Sequence, residues 1–177
     1  EMCIRDSTRS NREASRGKQA GRTLEIQRLI GRSLRSIIDL KVLGERQIII
    51  DCDVIQADGG TRTASISGGW IALSNAVNKL LYTNKIKSNP IISQICAISC
   101  GVWNGFSVLD LDYSEDSSAE IDTNFVLTSD QKLVEVQISS ESDPFTKSTM
   151  DRLLNLAFEG SEKIFKQQLR AINCLVY

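Results

Sequence analysis

The sequence predicts an α+β fold, a mixed sheet packed with helices. Three observations carry that expectation. Apolar residues recur at helical spacing over residues 23–43. An Asn104-Gly105 pair sits between two apolar runs, the strongest short-range signal for a hairpin. The order along the chain is helix, strand, helix, four strands, helix, and 177 residues are enough to bury a real core.

Each element has a local reason. Residues 1–21 are polar, basic and rich in Ser, Arg and Gly, and read as a loop or a short irregular helix. The helix over 23–43 places Leu24, Ile26, Leu29, Ile30, Leu34, Ile37 and Ile38 on one face, with Arg28, Arg32 and Arg35 near the other, and Gly44 ends it. Residues 47–54 form a predicted strand whose near-continuous apolar run suggests burial on both faces. Ala57-Asp58-Gly59-Gly60-Thr61-Arg62-Thr63 breaks that strand, and a helix follows over 64–82 with small residues in its first turns. Asn89-Pro90 marks a turn. Strands are expected over 92–103, 106–113, 118–127 and 133–138, then a last helix over 147–168.

Composition excludes several chemistries. There is no histidine, so Ser-His-Asp and Cys-His catalysis, imidazole bases and His-ligated zinc are all absent. Five cysteines in irregular spacing, behind no secretory pattern, read as reduced thiols of a cytoplasmic protein. Cys96 and Cys100 would share a strand face, as a buried apolar pair rather than a metal pair. No run approaches the ~20 apolar residues of a membrane span. The net charge of −1 hides an asymmetry: residues 5–46 hold eleven Lys/Arg against five Asp/Glu, and residues 110–151 hold eleven Asp/Glu against two Lys. Such halves suit holding a phosphate backbone and a divalent cation, or they are two solvated surfaces that pair with each other.

Two segments carry candidate chemistry. In the Asp58–Ser65 loop, Gly59 and Gly60 allow a tight turn, and Thr61, Thr63 and Ser65 offer hydroxyls. Arg62 offers a forked cation, and the N-terminus of the next helix points at the same place. That is a phosphate pocket by composition. It is not a Walker A loop, and a plain glycine turn with a threonine cap explains it equally simply. Between Asp110 and Asp122 six carboxylates fall within thirteen positions. Asp116 lies in a predicted loop, and Glu120 and Asp122 lie two apart on one strand face. A cation such as Mg²⁺ relieves their repulsion; a solvated acidic loop is the plain alternative. Arg22, just before the first helix, could aim at the same phosphate, while Arg9, Arg12 and Arg28 could follow an RNA backbone or simply line a solvated face.

The ordered segments Gly17-Lys18-Gln19-Ala20-Gly21-Arg22-Thr23-Leu24, Gln56-Ala57-Asp58-Gly59-Gly60-Thr61-Arg62-Thr63-Ala64-Ser65, Val102-Trp103-Asn104-Gly105 and Leu111-Asp112-Tyr113-Ser114-Glu115-Asp116-Ser117-Ser118 resemble the ribonuclease PH family over roughly residues 8–170. The resemblance implies a ribonuclease PH-like fold (ribosomal protein S5 domain 2-like) and a phosphate-dependent 3′–5′ exoribonuclease that trims tRNA precursors. It implies that Arg22, Gly60, Thr61 and Arg62 bind phosphate, and that Asp116 and Asp122 serve catalysis and hold Mg²⁺. Arg9, Arg12 and Arg28 would meet RNA. One departure is Ala20, where the family has glycine. Inorganic phosphate is then a co-substrate, and the partners are RNA and five further copies in a hexamer built as a trimer of dimers. Residues 1–7 lie outside the pattern, and 8–177 is expected to be one partial domain lacking the family's N-terminal strands. Loss of those strands argues for loss of activity in this chain. The rivals are a non-catalytic RNA-binding ring subunit, against which the intact Arg22, Thr61, Arg62, Asp116 and Asp122 argue, and a hydrolytic Mg²⁺ nuclease.

Overall fold

The computed structural model describes residues 20–141 and 143–173. Its first helix, α1 (Gly21–Ser36), buries Leu29, Ser33 and Leu34 on one face, as the apolar spacing requires. It stops earlier than the sequence pattern does. The Ile37 carbonyl accepts from the Ile92 amide at 2.8 Å, and the Asp39 amide donates to the Pro90 carbonyl at 2.7 Å. Ile38 makes a bridge with Ile91. Pairing with a distant segment therefore takes the backbone out of the helix. Asp39 then accepts from the Lys41 and Val42 amides and starts a single new turn, α2 (Leu40–Leu43). Gly44, at φ 71°, ends this turn rather than the long helix it was expected to end.

Residues 47–54 differ from the expectation. They form no strand among the described residues. Ile48 and Ile50 pack partly against the core, while Ile49 is 80% exposed. Cys52 and Val54, in phase with Ile48 and Ile50, are exposed, so the segment is partly covered at two positions rather than buried on both faces.

A long helix, α3 (Thr61–Tyr82), follows, buried through Ile66, Trp70, Leu73 and Val77. Gly69 lets α1 approach closely: a side chain there would meet the Leu34 Cδ1 at 3.3 Å. The sheet comprises β1 (Ile95–Trp103), β2 (Phe106–Leu109), β3 (Ile121–Thr128) and β4 (Leu133–Ser140), in the order β2-β1-β3-β4, with every neighbouring pair antiparallel. The β1–β2 turn is the predicted Asn104-Gly105, with φ of 50° and 76°, and Trp103 faces Phe106 across it. The second strand ends four residues before the predicted limit, because Asp110 turns the chain at φ 60°. One helical turn, α4 (Tyr113–Asp116), and a final helix, α5 (Lys147–Asn173), complete the chain.

The sheet separates two cores, and side-chain alternation decides which residue joins which. Ile95, Ala97 and Val126 join α1 and α3 on one face. Cys96, Ile98, Cys100, Val102, Phe125 and Leu127 join Leu153, Ala157 and Phe165 of α5 on the other. Burial pushes the Cys96 and Cys100 thiols up to about 12, so they stay protonated packing groups, as the apolar-pair reading expects. No described helix is long and apolar enough to cross a membrane.

Candidate active site

The site is built where α3 meets the sheet. Ser67 of α3 bonds the backbone of Ala97 in β1. About two turns earlier, Gly60 lies beside Ser99, whose Oγ would be 4.0 Å from a side chain at that glycine. The N-terminus of α3 is thus directed along β1 toward Gly101, whose register partner on β3 is Asp122. Gly60 caps the helix at φ 70° with no side-chain cap bond, so the first turn keeps its amides and positive dipole end unmasked by a capping side chain. Arg62, partly buried, stands in that first turn.

Not every predicted donor is available. The Thr63 hydroxyl donates to the Gly60 carbonyl at 2.7 Å, and the Ser65 hydroxyl donates to the Thr61 carbonyl at 2.8 Å. Both are turned back onto the helix, as Ser and Thr in a first turn commonly are. Thr61 and Arg62 are left to provide the side-chain chemistry of this loop.

The carboxylate side stands opposite. Asp112 accepts from the Glu115 amide, and Glu115 reciprocates at the Asp112 amide, a capping box that closes the single turn α4. Asp116, at the end of that turn, is exposed. Asp122 is half-buried on the face of the sheet that carries α3. Burial raises its carboxyl above the usual range. Asp116 and Glu141 add to that rise, and the Arg62 guanidinium and a hydrogen bond from the Thr123 amide oppose it. Asp122 therefore feels the charges of both Arg62 and Asp116, although the three come from three elements. The Asp122 Oδ1 is buried with no hydrogen-bond partner. A buried carboxylate oxygen without a partner, next to a second carboxylate, fits a hard cation that retains most of its waters. No group of three or more His, Cys, Asp or Glu side chains suited to a metal ion occurs among the described residues, so two carboxylates and water would have to suffice.

The remaining predicted residues divide. Arg22 is exposed on α1, three positions before Glu25. Glu25 bonds Arg62 at 3.3 Å, so Arg22 shares the α1 face that meets the α3 N-terminus. Arg28 is exposed on the same helix. Arg9 and Arg12 lie outside the described residues. Glu120 does not join Asp122; its Oε1 accepts from the Gly105 amide at 2.9 Å and steadies the β1–β2 turn. Arg32 pairs with Glu135 at 3.2 Å and so joins the basic and acidic halves within the chain.

Three residues near the site have partners that the sequence reading did not give. Asp58 Oδ1 accepts from the Gly59 amide at 2.9 Å and from the Tyr113 amide at 2.8 Å. At Gly59 a side chain would lie 2.1 Å from the Leu111 carbonyl oxygen. At Gly101 it would lie 2.5 Å from the Ile121 carbonyl oxygen. The contacts to Tyr113, Leu111 and Ile121 are long-range. The adjacent Asp and Gly are a visible turn signal, but nothing local names their partners.

Comparison with known proteins gives the family and the fold. Residues 4–78 match domain 1 of the 3′ exoribonuclease family, and residues 93–160 match domain 2. The chain is 57% identical over 165 residues to a protein named Ribonuclease PH from Caulobacter vibrioides, covering 93% of this chain and 69% of the relative. It is 57% identical over 166 residues to another of that name from Cereibacter sphaeroides, covering 94% and 70%. A crystal structure of rice (Oryza sativa) Rrp46 superposes with a TM-score of 0.66 at 17% identity, over 89% of this chain and 68% of that one, a likeness of fold. Two matched family domains and relatives at this identity place the chain in the ribonuclease PH family of 3′ exoribonucleases.

Proposed function

We propose that this chain is a phosphate-dependent 3′–5′ exoribonuclease that trims tRNA precursors one nucleotide at a time. The observation that carries the reading is the junction of the α3 N-terminus and Arg62 with Asp116 and Asp122, whose Oδ1 is buried and unpartnered. The anion subsite comprises Gly60, Thr61 and Arg62 with Arg22, and the backbone amides of the first turn of α3 face the bound phosphate. The RNA 3′ end lies across it, its backbone held by exposed arginines of α1 such as Arg28 and by Arg9 and Arg12.

A phosphate oxygen attacks the last phosphorus of the RNA in line. The new P–O bond forms as the bond to the preceding 3′-oxygen breaks, and that oxygen leaves as a hydroxyl, with the proton that the attacking hydrogen phosphate gives up. The products are a nucleoside 5′-diphosphate and an RNA shorter by one residue. Because the energy of the broken phosphodiester is retained in the phosphoanhydride of the diphosphate product, the reverse reaction adds nucleotides. Arg62 and Arg22 orient the attacking anion and offset its charge. Asp116 and Asp122 are the residues that would hold Mg²⁺, which when bound neutralises charge on the transferred phosphoryl oxygens.

The same reading extends to a cytoplasmic enzyme of tRNA and rRNA processing that works as a homohexameric ring, a trimer of dimers. Ile49, Val54 and Ile55 are left in solvent, which supports an assembly in which another chain covers them. Residues 8–177 act as one unit in this reading, because α3 from the first family domain lies on the sheet of the second. The test is a short 3′-tailed RNA with Mg²⁺, with and without phosphate, read by chromatography. Nucleoside diphosphates formed only with phosphate are expected. Monophosphates formed without phosphate would replace the reading with a hydrolytic nuclease. RNA binding without any product would replace it with a non-catalytic ring subunit.

A further inference from the structure

The turn that feeds α3 and the turn that carries Asp116 belong to segments some fifty residues apart, yet they are tied by one carboxylate. Asp58 Oδ1 accepts from its own neighbour, the Gly59 amide, at 2.9 Å, and from the Tyr113 amide, the first residue of α4, at 2.8 Å. The first bond fixes the backbone that enters Gly60 and the α3 N-terminus. The second orients α4, whose last residue is Asp116. The segment behind α4 is anchored separately to β1: the Asp110 amide donates to the Ser99 carbonyl at 2.8 Å, and the Leu111 amide to the Ser99 hydroxyl at 3.1 Å. The Asp112–Glu115 capping box satisfies two of the four first amides of α4, and Asp58 takes one of those it leaves, that of Tyr113. Asp58 itself is exposed and carries a negative charge close to a subsite read as anionic. Coulomb repulsion makes that a poor choice for a phosphate ligand. A two-fold acceptor that sets the spacing of two turns explains it better.

We propose that Asp58 is a positioning residue that fixes the distance between the phosphate subsite at Gly60–Arg62 and the cation subsite at Asp116 and Asp122, and so couples the binding of the two ions. The inference rests on the phosphate-and-cation reading of the site given above. An anion and a cation attract across a fixed short gap, and the attraction falls as the gap loosens. Each ion therefore tightens the other's binding by one shared factor, by linkage. Removing the tether leaves both subsites intact and lowers only that factor.

The test is calorimetric titration of the full chain with inorganic phosphate, with and without Mg²⁺, in the unmodified protein, Asp58→Ala and Asp58→Asn. In the unmodified protein Mg²⁺ is expected to tighten phosphate by about fivefold or more, the lower end of ordinary coupling between sites. In Asp58→Ala that ratio is expected to fall below about twofold, with phosphate alone bound within about threefold of the unmodified protein. Asp58→Asn keeps the acceptor oxygen and retains the original ratio; fresh protein is used, since Asn before Gly deamidates. A merely structural role would weaken both ligands together and leave the ratio alone. If Asp58→Ala does not fold, Asp58→Glu, which moves the acceptor by one methylene, carries the same comparison. An unchanged ratio in Asp58→Ala, or its loss in Asp58→Asn, overturns the positioning role while leaving the site reading intact. No effect of Mg²⁺ on phosphate in the unmodified protein overturns the site reading and this inference with it.

Discussion

Gly59→Ala is the sharpest perturbation of the site. The backbone at Gly59 is outside the left-handed region, so alanine suits its conformation. The difficulty is collision. The added Cβ would lie 2.1 Å from the Leu111 carbonyl oxygen, 2.8 Å from the Asp112 carbonyl carbon and 3.0 Å from the Asp112 Cα. All three are backbone atoms, so no side chain can rotate away. Ordinary contact begins near 3.4 Å, and the two turns must part by more than 1 Å. One turn leads to Arg62 and the other to Asp116. A misplacement of about 1 Å between reacting groups costs about 10²-fold in rate. Overpacking of this kind costs about 1–3 kcal/mol of stability, and each kcal/mol lowers Tm by about 2–4 °C in a chain of this size. The assay is phosphorolysis of a 3′-tailed RNA at saturating phosphate and Mg²⁺, with a thermal melt alongside. Gly68→Ala is the matched control. It lies on the same helix with nothing within 4 Å of the added carbon, and should gain about 0.5–1 kcal/mol at unchanged rate. A Gly59→Ala rate within about twofold of the unmodified protein, with an unchanged Tm, would refute the argument that these turns set the spacing of the reacting groups.

Three further outcomes follow from the same geometry. Arg62→Ala should lower kcat/KM for phosphate by about 10²-fold or more, leaving RNA retention on filters nearly unchanged; equal loss of RNA binding would remove Arg62 from the phosphate subsite. Asp116→Asn should abolish turnover while changing stability by less than about 0.5 kcal/mol, since the side chain is exposed; a retained Mg²⁺-dependent rate would take Asp116 out of the site. Asp122 binds its proton more tightly folded than unfolded, because of burial first and Asp116 second. Its stabilising contribution is complete below the unfolded carboxylate range and is lost as pH rises through the raised folded value. Asp122→Asn should therefore raise the Tm of the metal-free protein at neutral pH, with the gain shrinking under acid, while activity is lost. A gain that is equal at all pH values would assign it to packing.

What the sequence made legible is what local chemistry decides. Asn104-Gly105 makes its turn because both residues accept positive φ, wherever the hairpin lies in the fold. The α1 stripe could be read from spacing. Its end could not, because Ile37 and Asp39 give their backbone groups to Ile92 and Pro90, some fifty residues away. Residues 47–54 misled for a related reason. A run of isoleucines looks the same whether one face or two is covered, and the covering is set by neighbours rather than by the run. In the site, Arg62, Asp116 and Asp122 were identifiable as residue types. The hydroxyls of Thr63 and Ser65 were not available as read, since a serine or threonine in a helical turn reaches its own backbone more easily than a ligand.

The unread part of the site has one origin, which is β1. Ser99 holds the chain leading to α4, and the α3 N-terminus lies over the same residue. Gly101 stands next on that face, and with no side chain it lets Leu111 and the Ile121 backbone close on it from two directions. Asp122 lies opposite Gly101 in the register. A residue with a side chain at Gly101 would push β3 and the α4 approach apart together and so move both carboxylates away from Arg62. The closeness this permits also sets an electrostatic conflict. Two carboxylates and one guanidinium share the space, and the Asp122 carboxyl lies above the usual carboxylate range because burial and Asp116 outweigh Arg62. A phosphate on Arg62 would cancel the charge that favours the ionised Asp122 and so oppose ionisation further. A cation on Asp116 and Asp122 would reverse that balance. In the proposed reading a cation there would offset the repulsion between a bound phosphate and the two carboxylates, which is what lets an anion attack a phosphodiester beside them.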